Sequence, residues 1–440
     1  MAQGLNGYAG QMLRVDLGSG RITKEELDGD MLRKYPGGTS LGAMILYEEV
    51  PPGVEWHDPQ NRLIMATGPL GATRIGGSGT FSAVTKGALT HGATSTQANG
   101  FWGAYLKLSG FDGLVLQGAA PSLIYLYIHD GEAELRDGLH LAGKDLWQTE
   151  DLIREELGKK EREVSIFGIG PAGENRVRFA SICGDRGHVA AHNGVGAVMG
   201  SKNIKAVVVA RGRAAIPLAD AKKISALSKQ MLQLMVDRPG FLDVHNWGTL
   251  KGISQGAPGG TLPVKNYTTS VYPIEPEQLE AFGAESIRAG FSPKPNPCWA
   301  CRMHHCHMMT IPGGPYAGLV VEEPEYECLA AWGPAIGQTD VSSAMMLSHE
   351  VDILGMDTNE AGWVVALAME CYEKGILTPE DTDGLELTWG NAEAAREILR
   401  RIATRQGLGR VLAEGAMRAA QAIGKGAPEL AIHTGKGNTP

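Results

Sequence analysis

Along the first 210 or so residues the apolar positions come in short runs rather than helical stripes. MLRVDL, RLIMAT, GLVLQG, LIYLYI, EVSIFGIG and KAVVVARG are each of strand length, rich in β-branched and aliphatic residues. One helix, near 151–159, is expected to interrupt them. The stretch ARGRAAIPLAD, around 210–220, is the best boundary. Beyond it KKISALSKQMLQLMV repeats apolar residues three and four apart, and 341–423 reads as helix almost throughout. Strands first and helices afterwards predict an α+β fold, with a β-rich N-terminal domain followed by a mainly helical one. The glycine groups lack the strand–GxGxxG–helix setting of a dinucleotide site, and no fixed-period repeat points to a solenoid.

Composition narrows the class. A chain of 440 residues exceeds one ordinary core, so two or three domains are expected. A net charge of −9 argues against a nucleic-acid partner, which needs a clustered basic surface. No apolar run reaches the roughly 18 residues of a membrane helix. The opening MAQGLNGYAGQMLRVDL has neither a basic flank nor an apolar signal segment, so the expected location is cytoplasmic. Glycine, 60 residues, is nearly twice the usual share of about 7%. It falls in GGTSLG, IGGSGT, GIGPAG and GAPGG, read as turns where backbone bends tightly or approaches a bulky ligand.

The sharpest chemical signal is the run Pro297-Cys298-Trp299-Ala300-Cys301-Arg302-Met303-His304-His305-Cys306. Three thiolates this close repel one another, so ionising them all requires a cation or a cluster. The spacing leaves three readings open. One is a [4Fe–4S] cluster on Cys298, Cys301 and Cys306. Another is a zinc site completed by His304, His305 or His307, and the third is a redox dithiol at Cys298 and Cys301. Cys183 and Cys371 read as core thiols, the latter on the apolar face of a helix over 361–374.

Several segments, in order, resemble the aldehyde:ferredoxin oxidoreductases, a family of tungsten–pterin enzymes. They are ATGPLGAT (66–73), SAVTKGALTHG (82–92), NGFWGAYLKLSGFDGLVLQG (99–118), GPAGENRVRFASI (170–182), NGVGAVMGSKNIKAVVV (193–209), GGTLPVKNY (259–267), PEYE (324–327) and DILGMD (352–357). The resemblance covers nearly the whole chain and turns the cysteine reading toward iron–sulfur. It implies a β-rich base carrying a tungsten bis-pyranopterin, with Mg²⁺ bridging the pterin phosphates and helical domains covering it. A nearby [4Fe–4S] cluster passes electrons to ferredoxin or another electron-transfer subunit. A homodimer is implied by the resemblance alone. The expected division is 1–212 for pterin binding, 213–417 for a helical domain with the cluster cysteines, and 418–440 for the start of a third helical domain.

Residue by residue, Asp352, Gly355 and Asp357 match the family's D-x-x-G-x-D pterin motif. The same residues also read structurally: Gly355 closes a helix from about Val341, and Asp357 with Glu360 caps the next. Thr80 stands where the family places an arginine. Gln97, Asn99 and Gly100 lie in its SNSGG loop, and His192 and Asn193 in its AGRGG loop, with His192 a substitute cation. The cysteine loop is one residue longer than the family's C-x2-C-x3-C, and the later D-x-x-G-x-C that supplies a fourth cysteine does not occur. A C-terminally truncated member is therefore expected.

Glu325 and Glu327 fall where the family has an active-site glutamate, a general base with its pKa raised by burial; the rival reading is a pair of solvated acids beside Glu322 and Glu323. Cys328 corresponds to a tungsten-ligating thiolate in the class II aryl-CoA reductase branch, against the plain reading of a small buried hydrophobe. His245 reads as a packed or solvent-facing histidine, with a substrate pocket as the alternative. The implied activity is oxidation of an aldehyde to a carboxylic acid. The alternatives are reductive dearomatisation of an aryl-CoA thioester and an inactive fragment or scaffold.

Overall fold

The apolar runs of the N-terminal half become two mixed six-stranded sheets. In this computed structural model, which describes residues 5–439, strands β1 (Gln11–Asp16), β2 (Arg21–Glu26), β3 (Leu63–Ala66), β4 (Phe81–Lys86), β5 (Ala93–Ala98) and β6 (Gly113–Gln117) form the first. Their order is β2-β1-β6-β3-β4-β5. The second contains β7 (Ile124–His129), β8 (Glu132–Asp137), β9 (Val164–Gly168), β10 (Ile182–Gly184), β11 (His188–Ala190) and β12 (Ile204–Ala210), in the order β11-β10-β9-β12-β7-β8. Each sheet has a single parallel pair, β1 with β6 and β7 with β12.

More helix is present in this half than the sequence pattern predicts. GGTSLG is not a loop but the start of the helix Gly38–Glu49, which lays Leu41, Ile45 and Leu46 on Ile64, Val84 and Val115 of the first sheet. The expected helix is Leu146–Leu157, and it places Ile153 against Tyr125, Ile166 and Val208 of the second. A third, Trp102–Leu108, is buried along almost its whole circumference. Its Trp102 donates from Nε1 to Val207 O at 3.1 Å and packs 4.6 Å from the Phe81 ring. Each such side chain removed from water contributes on the order of 1.5–3 kcal/mol. Lys107 on this helix is fully buried, which is tolerable because its three protons find three acceptors: Gly7 O (2.7 Å), Gly68 O (2.6 Å) and Asp112 (2.9 Å).

The chain divides into two units, and the division does not follow sequence order. The first runs to Arg176 and takes in Ala180–Asp237 and Cys298–Arg302; the second comprises Val177–Phe179, Arg238–Pro297 and the chain from Met303. The second unit is mainly helical, with Val341–Leu354, Thr358–Glu373 and Ala392–Thr404 as its long helices. Glu350 is buried among these and held by Arg396 (3.0 Å) and Arg400 (2.6 Å). Cys371 is buried in Thr358–Glu373 and Cys183 in β10, both as core thiols. A small antiparallel sheet, β13 (Lys294–Pro295), β14 (His307–Thr310) and β15 (Val320–Glu322), completes the unit. Among the described residues no helix is long and apolar enough to cross a membrane.

Candidate redox site

The three clustered cysteines lie in the loop of the β13–β14 hairpin. Its base is closed by Asn296 N donating to Cys306 O at 2.9 Å. Within it Cys301 N donates to Cys298 O at 3.2 Å, a tight turn that Ala300 completes at φ 52°. The boundary between the two units falls inside the triplet, with Cys298 and Cys301 in the first and Cys306 in the second. Trp299 anchors the turn to the first unit: its backbone N donates to Gly100 O (3.1 Å) and its indole to Thr73 O (3.0 Å). Gly79 makes room for it, since a Cβ there would stand 2.2 Å from Gly100 O and 2.7 Å from Trp299 Cβ. The glycine of IGGSGT therefore serves close packing under the cysteine turn.

The three cysteines of the triplet are half-buried. Each unit adds a histidine beside one sulfur: His188 Nε2 is 3.8 Å from Cys298 Sγ, and His305 Nε2 is 3.6 Å from Cys306 Sγ. His305, Cys306 and Glu325 bring ligand atoms within 4.8 Å of one another, a set able to hold a cation. Cysteine thiolate is the ligand type that an iron–sulfur cluster takes.

In the first unit the register β4 to β5 pairs Phe81 with Ala98, so Thr80 and Asn99 meet just past the end of the ladder. They hydrogen-bond, Thr80 Oγ1 to Asn99 Oδ1, at 2.5 Å. Gln97 points outward from the edge strand β5 and reaches Thr39 at 3.5 Å. Gly100, at φ 97°, is tightly confined, as a Cβ would come 2.8 Å from Asp185 and 2.9 Å from His188. After β11 the chain turns through three left-handed residues in a row, His192, Asn193 and Gly194. Asn193 Oδ1 is buried with no hydrogen-bond partner among the described residues. An orphaned acceptor costs about 1–3 kcal/mol, which a ring N–H of a bound pterin would offset. On this observation the loop fits such a group.

The D-x-x-G-x-D segment lies in the second unit and serves two helix ends. Gly355 is the left-handed C-cap of Val341–Leu354 at φ 78°, as the sequence suggests. Asp357 caps the next helix by accepting from Asn359 N and Glu360 N. Glu360 does not return a bond to the cap; it accepts from Ala416 N (3.0 Å) and Thr439 N (2.9 Å) instead. Asp352 does not share the capping. Burial pushes its carboxyl up to about 7, and its charge in turn raises the pKa of Glu322 and Cys328 and so opposes their ionisation.

These groups form an acid–thiol cluster. Burial first, then Asp352, Glu325 and Glu323, hold Glu322 well above the ordinary carboxylate range. Burial and then Asp352 push the Cys328 thiol up against an opposing hydrogen bond from Ser348, so without a cation it stays protonated near neutrality. Glu323 is pushed by burial up to about 7, although Arg288 (2.6 Å) and His307 (2.7 Å) both bind it. Solvent still reaches Glu322, Cys328 and Asp352 in part, but crowding by protein atoms governs their protons.

Glu325 and Glu327 separate clearly. Burial raises Glu325, but hydrogen bonds from His305 and Thr249 outweigh it and leave the net value below the ordinary one. The sequence-based expectation of a raised glutamate thus fails for Glu325 and applies to its neighbours Glu322 and Glu323. Glu327 is exposed in the first turn of Tyr326–Trp332. His245 is packed, stacked on Phe241 at 5.7 Å with Nδ1 2.6 Å from Met303 O.

Sequence reasoning missed His188, His305 as the specific partner of Cys306, and Asp185. Asp185 accepts from Phe101 N (2.8 Å) and Ser165 Oγ (2.7 Å), pinning the backbone next to Gly100. The Asp-Arg-Gly run between two short strands, with left-handed φ at all three residues, was a turn signal that could have pointed to it.

Comparison with known proteins agrees with this architecture. The family model for the aldehyde ferredoxin oxidoreductase N-terminal domain matches residues 12–211, and that for domains 2 and 3 matches 226–440. The tungsten-containing aldehyde ferredoxin oxidoreductase of Pyrococcus furiosus is 37% identical over 438 residues, 99% of this chain and 70% of that protein. The WOR-like subunit of aliphatic sulfonate oxidoreductase from the same organism is 34% identical over 436 residues, 94% of this chain and 67% of its own length. Among solved structures, the active-site complex BamBC of benzoyl coenzyme A reductase with 1,5-dienoyl-CoA superposes with a TM-score of 0.86 at 30% identity. That match covers 99% of this chain and 66% of the other, so the chain spans about two thirds of its relatives' length. With both halves matched in order, the chain belongs to the aldehyde ferredoxin oxidoreductase family.

Proposed function

We propose that this chain carries a tungsten bis-pyranopterin and a [4Fe–4S] cluster, and that it oxidises an aldehyde to a carboxylic acid with electrons passed to ferredoxin. The observation that carries the reading is the loop with three clustered, half-buried cysteines, whose Trp299 packs against Thr73 and Gly100. Cys298, Cys301 and Cys306 would ligate the cluster. Thr80, Gln97, Asn99, Gly100, His192 and Asn193 would hold pterin from residues 1–212, and Asp352, Gly355 and Asp357 from 213–417, with Mg²⁺ on the pterin phosphates. When bound, the tungstopterin supplies two-electron redox chemistry and the cluster a one-electron relay.

The protein's own contribution is proton handling. Glu325 is ionised and oriented by His305 (3.4 Å) and Thr249, so it accepts a proton from water or an aldehyde hydrate. Asp352 and Glu323, poised near 7, and Glu322 above the ordinary range, store protons released at neutral pH. Turnover of benzyl viologen with simple aldehydes by anaerobically purified protein tests this reading; absence of tungsten and iron would end it.

A second reading, reductive dearomatisation of an aryl-CoA thioester, is favoured by one specific feature. Cys328 stands beside Asp352 and Glu325, where its thiol ionises only if a cation arrives. Activity with aromatic CoA thioesters and none with aldehydes would select it.

A further inference from the structure

The first unit has a recess of about 710 Å³ whose wall includes Trp299, the residue that follows Cys298. Four cations line it, Lys159, Arg162, Arg211 and Arg213, against two acids, Asp130 and Glu163. In a chain of net charge −9 this is a local reversal of sign. The cations are set by the fold. Lys159 follows the helix Leu146–Leu157, and Arg211 and Arg213 follow β12. Arg162 packs its guanidinium over Phe101 at 4.1 Å, and Arg211 lies over Trp299 at 5.7 Å. Such cation–π contacts hold a guanidinium in place without neutralising it, although Arg162 also lies 3.8 Å from the carboxylate of exposed Glu161. Lys159, Arg211 and Arg213 remain exposed.

We propose that this recess is the landing site of an acidic electron-carrier protein, a small iron–sulfur protein with a carboxylate-rich rim around its own cluster. This rests on the redox reading above. Electron tunnelling falls steeply with distance, so a carrier must dock beside the relay. Trp299 puts the recess one residue from the first sulfur of the triplet and two from the second. Opposite charge across a docking surface speeds encounter and fixes orientation. The stoichiometry is consistent: aldehyde and water give carboxylate, three protons and two electrons, so two carriers are each reduced by one electron per turnover.

The test uses the full-length holoenzyme and the variant Lys159→Glu/Arg213→Glu, which leaves alone the two arginines stacked on Phe101 and Trp299. Aldehyde-dependent reduction is followed with a strongly acidic [4Fe–4S] ferredoxin and, separately, with benzyl viologen. The expected result is a rise of about tenfold or more in KM for the ferredoxin, with viologen rates within about twofold of wild type. Raising salt should slow the wild type with ferredoxin and leave the variant nearly unaffected. An unchanged ferredoxin KM, or an equal loss with viologen, overturns the proposal. Direct binding of the ferredoxin to both proteins at low ionic strength needs no turnover; equal affinity also overturns it. If the variant instead loses binding of coenzyme A and keeps that of the ferredoxin, the recess is a nucleotide site and the proposal is wrong. Wild type that fails to turn over viologen with any aldehyde sinks the redox reading, and the binding measurement then decides the docking surface alone.

Discussion

Replacing Asp352 with Asn should stabilise the cofactor-free protein at neutral pH and leave it unchanged in acid. Asp352 is surrounded by protein atoms, and that burial raises its carboxyl from 3.8 to about 7. The sign follows from proton linkage. Between those values the folded state binds a proton that the unfolded chain does not, so stability is full below the unfolded value and is lost as pH rises through the folded one. About three pH units at 1.36 kcal/mol each give an upper figure of about 4 kcal/mol. Partial solvent contact reduces this to an expected 2–3 kcal/mol, roughly. The Asn variant also relieves Glu322 and Cys328 of a negative neighbour, which acts in the same direction. Urea titrations of cofactor-free wild type and variant between pH 4 and 8 should coincide at the acid end. They should diverge steadily toward pH 7, the variant being more stable, and run parallel above it. Curves that stay parallel throughout, or a variant that is less stable at pH 8, would refute the reasoning.

Four further substitutions probe other parts of the account. Gly79→Ala should push Trp299 off its seat, costing about 1–3 kcal/mol by overpacking and lowering bound iron, read by melting temperature and iron content together. Glu350→Ala should destabilise the helical unit by about 1–3 kcal/mol in urea titrations; the loss stays below that of a fully buried pair because the Arg396 and Arg400 side chains are 29% and 48% exposed. Glu325→Gln should lower kcat with aldehydes by about 100-fold or more, whereas Glu327→Gln, exposed, should change it by less than about twofold.

The parts of this protein legible in its sequence are those that depend on near neighbours. Gly355 and Asp357 were readable as helix caps because a cap is a matter of three or four consecutive residues. The thiol triplet was readable because one hairpin loop carries it. GGTSLG was misread as a turn because clustered glycine is a turn signal; here Gly42 instead lets a helix approach Val84 closely. The helix Trp102–Leu108 shows no stripe because it is buried nearly all round. Glu325 was assigned the wrong ionisation because that depends on Thr249, 76 positions away, and on His305. Likewise His188 reaches Cys298 across 110 positions, a contact no local pattern encodes. Long-range electrostatics, rather than local propensity, is what the sequence conceals.

The central claim is that the thiols near residue 300 hold an electron relay in a tungstopterin protein. The most direct measurement is metal and sulfide analysis of anaerobically purified full-length protein, with electron paramagnetic resonance before and after dithionite. About four irons and four sulfides per chain, one tungsten, and a cluster signal abolished in Cys298→Ser are expected. Zinc as the only bound metal, with no signal on reduction, would contradict it.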